Sequence, residues 1–177
     1  MRLHLGCGKK ILEDYTNIDL VSDDPRVIIC DIRNLGAIAE SNTVQEIYAC
    51  HVFEHIPRAD QIPTLKHWLG ILMPGGLCRL SVPDFSYLAR KYLDAAMRGE
   101  AWWQQIIIDP LVGGFEDGRD DEHNHHHGIF DFAYMKHLMT TAGFVNIRRY
   151  DPYEVDHTLK DWSTHKFSLN VASNKPI

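Results

Sequence analysis

The sequence predicts an α/β fold with a doubly wound, mostly parallel sheet, carried by one domain spanning residues 1–177. Three observations point there. Short apolar runs of strand length alternate with segments of helical periodicity, a pattern that places helices on both faces of a sheet. A Gly-Cys-Gly turn, Gly6 to Gly8, follows directly on the first apolar run. The second and third runs each end in an acid, Asp19 and Asp31, and open sheets bind ligands outside the carboxyl ends of their strands.

Taken in order, the first run (Leu3, Leu5) enters the glycine turn, and residues 9–14 leave room for one or two helical turns at most. The second run closes on Asn17-Ile18-Asp19-Leu20. Ser22-Asp23-Asp24-Pro25 reads as a turn, residues 26–31 as a third strand and residues 44–50 as a fourth. His51-Val52-Phe53-Glu54-His55 follows. Between residues 60 and 73, Ile62, Leu65, Leu69 and Leu72 recur at helical spacing, with Pro63 in the first turn and Pro74-Gly75-Gly76 as the stop. Residues 77–82 form a fifth strand, and residues 85–97 a second helical pattern stopped by Gly99. Asp131 is an N-cap for a later helix through Met135, Leu138, Met139 and Ala142, with Gly143 in the C-cap position. Residues 145–150 and 167–172 close the chain as two strands.

Residues 100–128 interrupt this rhythm with Trp102-Trp103, Ile106 to Ile108, Gly113-Gly114 and an acidic-histidine run from Asp120 to His127. Irregular segments of this length inside a compact domain tend to be lids or binding loops.

Composition narrows the function. With 45% apolar residues in 177, the chain can bury about two-thirds of its unfolded surface and hold a preformed pocket. A net charge of −6 with scattered Lys and Arg argues against a nucleic-acid partner, which needs clustered positive charge. Cys7, Cys30, Cys50 and Cys78 form no C-x-x-C pair, so free buried thiols in a reducing compartment are expected, rather than a zinc ribbon or disulfide framework. Neither a signal peptide nor an apolar run of membrane-spanning length is present, so no membrane partner and a cytoplasmic location are expected.

The spacing at the amino end selects the ligand class. A dinucleotide fingerprint carries a third glycine, a full helix and an acid about 20 residues on. Here Asp19 follows Gly6 by 13 positions and no third glycine is present. Pyrophosphate is held by the amino end of a helix, whose unpaired N–H groups and dipole favour an anion. A clipped helix therefore argues against NAD or FAD and for a nucleoside without phosphate.

Taken together, LHLGCG, NIDL, Asp31, EIYACHVFEHI, LMPGGLCRLSVPD and TTAGF resemble the S-adenosylmethionine-dependent class I methyltransferases, in particular a small group with a shortened first helix. The resemblance covers nearly the whole chain. It implies a single Rossmann-like sheet with an antiparallel C-terminal strand, and S-adenosyl-L-methionine as cofactor. It also places Gly6, Cys7 and Gly8 under the cofactor's amino-acid tail and sulfonium. Asp19, with Leu20 beside it, would take the ribose hydroxyls, and Asp31 with the Ile32 backbone the adenine amine. Cys50, His51 and Val52 would lie beside the methionine moiety. His4 stands where the family usually has an acid for the cofactor's amino group, and Lys10 where the third glycine usually sits.

A sulfonium already activates the methyl group, so the enzyme chiefly aligns the acceptor and excludes water. A general base helps when the acceptor is a hydroxyl, and imidazole titrates near neutrality. His51 is the first candidate and His127 the second. The family's amino-methylating members carry Asn-Pro-Pro-aromatic after the fourth strand, which Cys50-His51-Val52-Phe53 does not match. The expected acceptor is therefore a hydroxyl or carbon of a small metabolite or glycan unit, met by Trp102, Trp103, His127 and Tyr134. Two alternatives stand beside this reading. One is a non-catalytic nucleoside-binding module; the other is a metal-dependent enzyme using the His123 to His127 run. Consecutive side chains diverge, so no metal site is expected from that run, and Glu54-His55 is expected to cap a helix rather than act as a pair. The last strands and the Trp-rich segment offer surfaces for a homodimer.

Overall fold

The structure is a computed structural model that describes residues 1–100, 107–116, 119–155 and 160–177, with the side chains of residues 114–123 left aside. Four parallel strands come first: β1 (Arg2–Leu5), β2 (Thr16–Asp19), β3 (Val27–Ile29) and β4 (Val44–Cys50). After a 3₁₀ turn, Phe53–His55, come α1 (Gln61–Ile71), β5 (Leu72–Pro83) and α2 (Phe85–Met97). A short helix, α3 (Asp109–Val112), then leads into a hairpin of β6 (Gly113–Glu116) and β7 (Arg119–His125). The chain closes with α4 (Phe132–Ala142), β8 (Val145–Arg149) and β9 (Ser168–Asn174). The main sheet runs β3-β2-β1-β4-β5-β9-β8. Its first five strands are parallel, and β9 and β8 pair antiparallel.

The strand order reverses at β1, so β2 and β4 flank it on opposite sides and leave a crevice at their carboxyl ends. The residues predicted to bind the nucleoside sit at or just beyond the carboxyl ends of β1, β2, β3 and β4, apart from His4, which lies within β1. The core beneath joins Leu3, Leu5, Ile18, Ile47, Ala49, Leu80 and Val82 from the strands to Leu65, Trp68, Met135 and Met139 from the helices.

Several elements differ from their sequence reading. No helix forms between the glycine turn and β2. Instead the Lys10 amide closes a turn on the Cys7 carbonyl (2.9 Å) and Tyr15 one on Leu12 (3.1 Å), because the buried Asn17 side chain holds the backbone of Leu12 and Tyr15. In α1 the buried stripe is Gln61, Thr64, Leu65, Trp68 and Ile71, centred on Trp68, whose indole donates to the Ile32 carbonyl at 2.8 Å. β5 begins five residues earlier than Leu77, since Leu72 already pairs with Val44 and the Met73 to Gly76 stretch bulges out between paired residues. The irregular segment contains α3 and the β6–β7 hairpin. The α4 caps are as predicted: the Asp131 carboxylate accepts the Tyr134 amide at 2.7 Å, and Gly143 is left-handed at φ 108°.

Candidate active site

The glycine turn is built by two left-handed residues, Gly6 at φ 63° and Gly8 at φ 51°. They are glycines for different reasons. A Cβ on Gly6 would stand 2.4 Å from the Val52 side chain, whereas one on Gly8 would meet nothing within 4 Å. Gly6 thus lets the turn seat against the loop after β4, and Gly8 faces open space. The turn is anchored to β2 by the Cys7 amide donating to the Ile18 carbonyl (3.1 Å) and the Gly8 amide donating to Asp19 Oδ2 (2.7 Å).

Asp19 Oδ1 accepts the amides of Leu20 (2.7 Å) and Val21 (3.3 Å). Each carboxylate oxygen has two acceptor sites, and three of the four are taken by amides, so capacity remains on Oδ2 for one hydroxyl. An open glycine turn beside an acid with a spare acceptor site, and with no helix amino end for phosphate, is an arrangement that could hold a nucleoside's ribose and amino-acid tail. Leu20 itself is exposed.

Asp31 lies at the end of β3, where Arg33 grips its carboxylate (2.6 Å) and reaches on to Asp60 (3.2 Å). The guanidinium holds the Asp31 carboxyl below its ordinary range. Ile32 is buried and its carbonyl is taken by Trp68. His4 is sealed into a satellite cluster: it is 2% exposed, its Nδ1 is 3.0 Å from Asn17 Oδ1, and its ring stacks on Tyr48. Burial lowers its pKa against the opposing effect of the Asn17 bond.

Beyond β4 the chain turns sharply. His51 is left-handed at φ 51°, a strained conformation for a residue with a Cβ and one that structures retain at functional sites. Its amide donates to the Ser81 carbonyl (2.8 Å), its Nε2 is 2.8 Å from Ser168 Oγ, and its Nδ1 is 3.2 Å from Glu54 Oε1. Glu54 is fully buried and caps nothing, contrary to its sequence reading. Neither of its carboxylate oxygens has an aligned hydrogen bond. Burial by itself would push its carboxyl up, but the His51 imidazole beside it outweighs that and sets it below the usual range. Cys50, beside this turn, has its thiol pushed up by burial and then by Asp161.

The other predicted residues are distributed as follows. The backbone amide of His127 donates to the Glu54 carbonyl (2.7 Å), which ties residues 126–128 to the 3₁₀ turn while the His127 side chain stays exposed. Tyr134 stacks on Phe130 at 5.9 Å, on the flank of the core. Trp102 and Trp103 lie outside the described residues, as does the side chain of His123.

Three participants were not foreseen from the sequence. Asp161 accepts the Tyr48 hydroxyl (2.5 Å) close to Cys50 and caps the turn Trp162–Thr164. Trp162, 57% exposed, lies 6.2 Å from the His51 ring and 4.7 Å from His165. Phe167 stands edge-on to His51 at 5.9 Å. A Trp-x-x-His-x-Phe stretch just before the last strand was the available signal, a concentration of aromatics where a plain loop would be polar.

Residues 4–149 match a family model described as methyltransferase domain. The chain belongs to this family. The methyltransferase is similar in fold to an S-adenosylmethionine-dependent methyltransferase from Methanosarcina mazei, with TM-score 0.66 and 15% identity over 99% of this chain and 92% of that one. A second such enzyme, from Archaeoglobus fulgidus, matches at TM-score 0.60 and 10% identity over 98% of this chain and 85% of that chain. A third similar structure is 1,6-didemethyltoxoflavin-N1-methyltransferase from Burkholderia thailandensis, solved with its substrate and S-adenosylhomocysteine. It gives TM-score 0.56 and 14% identity over 99% of this chain and 71% of that one. Among curated proteins, none matches the chain. As a methyltransferase it uses S-adenosyl-L-methionine, whose tail and ribose the open glycine turn and Asp19 are suited to hold. Among the described residues no helix is long and apolar enough to cross a membrane.

Proposed function

We propose that this methyltransferase acts on a hydroxyl or carbon of a small ring-bearing metabolite or sugar unit, with His51 as the proton acceptor where the acceptor atom is a hydroxyl. The observation that carries the reading is the setting of His51. It stands just beyond the carboxyl end of β4, one residue from the Val52 that packs under Gly6, and is walled by Trp162 and Phe167. A carboxylate only accepts hydrogen bonds, so Glu54 favours the tautomer with hydrogen on Nδ1 and leaves Nε2 as the basic nitrogen. Ser168 Oγ, whose single hydrogen can turn either to Nε2 (2.8 Å) or to the Trp162 carbonyl (2.6 Å), marks the position that an acceptor hydroxyl would take at Nε2.

When bound, the cofactor supplies an already activated methyl group. The protein's share is orientation: Gly6, Cys7, Gly8 and Asp19 hold the donor side, and the exposed face of Trp162 offers a stacking surface for a ring or a sugar. Cys50 and Val52 line the approach. His127, exposed on the segment that crosses the 3₁₀ turn, and Tyr134 remain acceptor-side candidates, as do Trp102 and Trp103.

The test is a screen of phenolic, sugar and polyol acceptors with S-adenosylmethionine, read as a mass gain of one methyl together with release of S-adenosylhomocysteine. Against the best hydroxyl acceptor, His51→Asn is expected to lower kcat by roughly 10²–10⁴-fold, the usual contribution of a positioned base, with cofactor affinity retained. Turnover confined to amine acceptors, or an undiminished kcat in the variant, would refute the assignment.

A further inference from the structure

Behind His51 lies a second constellation that methyl transfer does not require. Glu54, His55 and His126 each offer a ligand atom, and these atoms all lie within 4.8 Å of one another. The sequence pattern had favoured neither of its halves. The backbone amides of His127 and Gly128 both donate to the Glu54 carbonyl (2.7 and 3.2 Å), and this crossing brings His126 over the 3₁₀ turn. The rings of His55 and His126 then meet edge to face at 4.7 Å.

The hydrogen bonding of each imidazole decides what its inner nitrogen can do. His55 Nδ1 is 3.3 Å from the His125 carbonyl. A carbonyl can only accept, so Nδ1 carries the hydrogen and Nε2 presents a lone pair. Burial lowers the His126 pKa and the Pro110 backbone acts to raise it, as a neighbouring carbonyl facing a ring N–H does, while the buried Nδ1 of His126 has no partner. By the same logic its hydrogen is on Nε2 and the lone pair on Nδ1. Imidazoles that hold a backbone carbonyl with one nitrogen, and so aim the other, are the arrangement in which metal-binding histidines are found.

Between these lone pairs sits a fully buried carboxylate with no aligned hydrogen bond on either oxygen. Its one close partner is His51, whose Nδ1 lies 3.2 Å from Oε1 and out of line, and a buried carboxylate so weakly partnered is among the most costly groups a fold can contain. Two lone pairs and a carboxylate facing inward repel one another unless a cation lies between them.

We infer that Glu54, His55 and His126 form a binding site for a divalent transition metal of the zinc type. The donor set is two imidazoles and one carboxylate, which suits zinc and disfavours magnesium, an ion that takes oxygen ligands in an octahedron. Metal–ligand distances of about 2.0–2.2 Å put the ligands of a tetrahedral site about 3.3–3.6 Å apart, so the present separations close by side-chain rotations. Three protein ligands leave at least one position open. Because the carboxylate has two oxygens, Glu54 can serve the ion and still face His51 Nδ1. The site would thus tie the 126–128 segment to the turn that carries His51. It does not depend on the choice of acceptor.

Untagged full-length protein, stripped with a chelator and dialysed, is titrated with Zn²⁺ by calorimetry and, separately, with Co²⁺ followed by visible absorption. One ion per chain is expected, with the intense d–d bands of a low-coordinate cobalt site and no competition from millimolar Mg²⁺. His55→Ala and His126→Ala should each weaken Zn²⁺ binding by more than the roughly 10–100-fold that loss of an orienting partner costs. His137→Ala, which removes an exposed histidine outside the cluster, should leave it unchanged. Glu54→Gln is a third variant of near-identical volume, and circular dichroism checks that each variant is folded. The inference is overturned if the wild-type protein takes up no stoichiometric Zn²⁺ and shows only the octahedral cobalt spectrum. It is equally overturned if folded His55→Ala and His126→Ala bind as tightly as wild type, or if His137→Ala loses as much as they do.

Discussion

Replacing the two turn glycines one at a time separates packing from ligand binding. In Gly6→Ala the new methyl carbon would lie 2.4 and 2.5 Å from Val52 Cγ2 and Cβ. No side-chain rotation relieves the contact, because Cβ is fixed to the Val52 backbone. The left-handed backbone adds roughly 1–2 kcal/mol for any residue with a Cβ, and the displaced valine roughly 1–3 kcal/mol, the usual cost of overpacking. A total loss of about 2–5 kcal/mol follows, against a typical domain stability of about 5–15 kcal/mol. Gly8→Ala bears only the backbone part, about 1–2 kcal/mol, since its methyl enters open space. That space is where the cofactor should lie, so Gly8→Ala should lose much of its S-adenosylmethionine affinity while remaining the more stable variant. Urea denaturation gives the first ranking and calorimetric titration of the folded proteins the second. If Gly6→Ala proves no less stable than Gly8→Ala, contact with Val52 does not set the turn. If Gly8→Ala binds cofactor like wild type, the open face of the turn is not the binding surface.

Other outcomes follow from the same geometry. Asp19→Ala should weaken S-adenosylmethionine binding by about 1.5–3 kcal/mol, the usual size of hydrogen bonds to a charged group, and unchanged affinity in calorimetry would remove Asp19 from the ribose site. His4 is buried and neutral with a lowered pKa, so on acidification the unfolded chain takes up a proton near pH 6.5 before the folded chain does. Its contribution to stability should therefore be complete above about pH 6.5 and decline as the pH falls below that value. Denaturation midpoints of wild type and His4→Gln between pH 5 and 8 should diverge on the acid side, and parallel curves would count against the assignment. The Cys7 thiol, 3% exposed, is pushed up to about 11 by burial and by Asp19, so iodoacetamide at pH 8 should leave it unmodified in the folded protein and label it after unfolding; rapid labelling by mass spectrometry would contradict that environment.

The glycine turn and the acid at the end of the second strand were legible because their signals are local. A glycine turn after a strand, an acid 13 positions on and too few intervening residues for a helix are all read along one short stretch, and the structure keeps them in register, with Leu5 beside Ile18 and Ala49. The caps of α4 were equally readable, since Asp131 and Gly143 act on their own helix. Periodicity misplaced the stripe of α1 because Trp68 turns inward to bond the Ile32 carbonyl, a partner 36 residues away. His4 illustrates the opposite limit. Its position in the motif suggests a cofactor contact, yet the fold surrounds it with Asn17, Tyr15 and Tyr48.

What the sequence determined by itself is the class of sheet, the position of the glycine turn and the nature of the ligand, because each depends on residues close together in the chain. The tertiary structure alone decided the surroundings of His51. Ser168 lies 117 residues away and arrives only because β9 pairs antiparallel with β5, setting Ser168 opposite Pro83. Trp162 and Phe167 come with it. His126 reaches Glu54 only because the backbone after the hairpin hydrogen-bonds across the 3₁₀ turn. Such encounters leave no periodicity to read, since they are set by strand pairing and by the burial of a carboxylate that needs partners from distant parts of the chain.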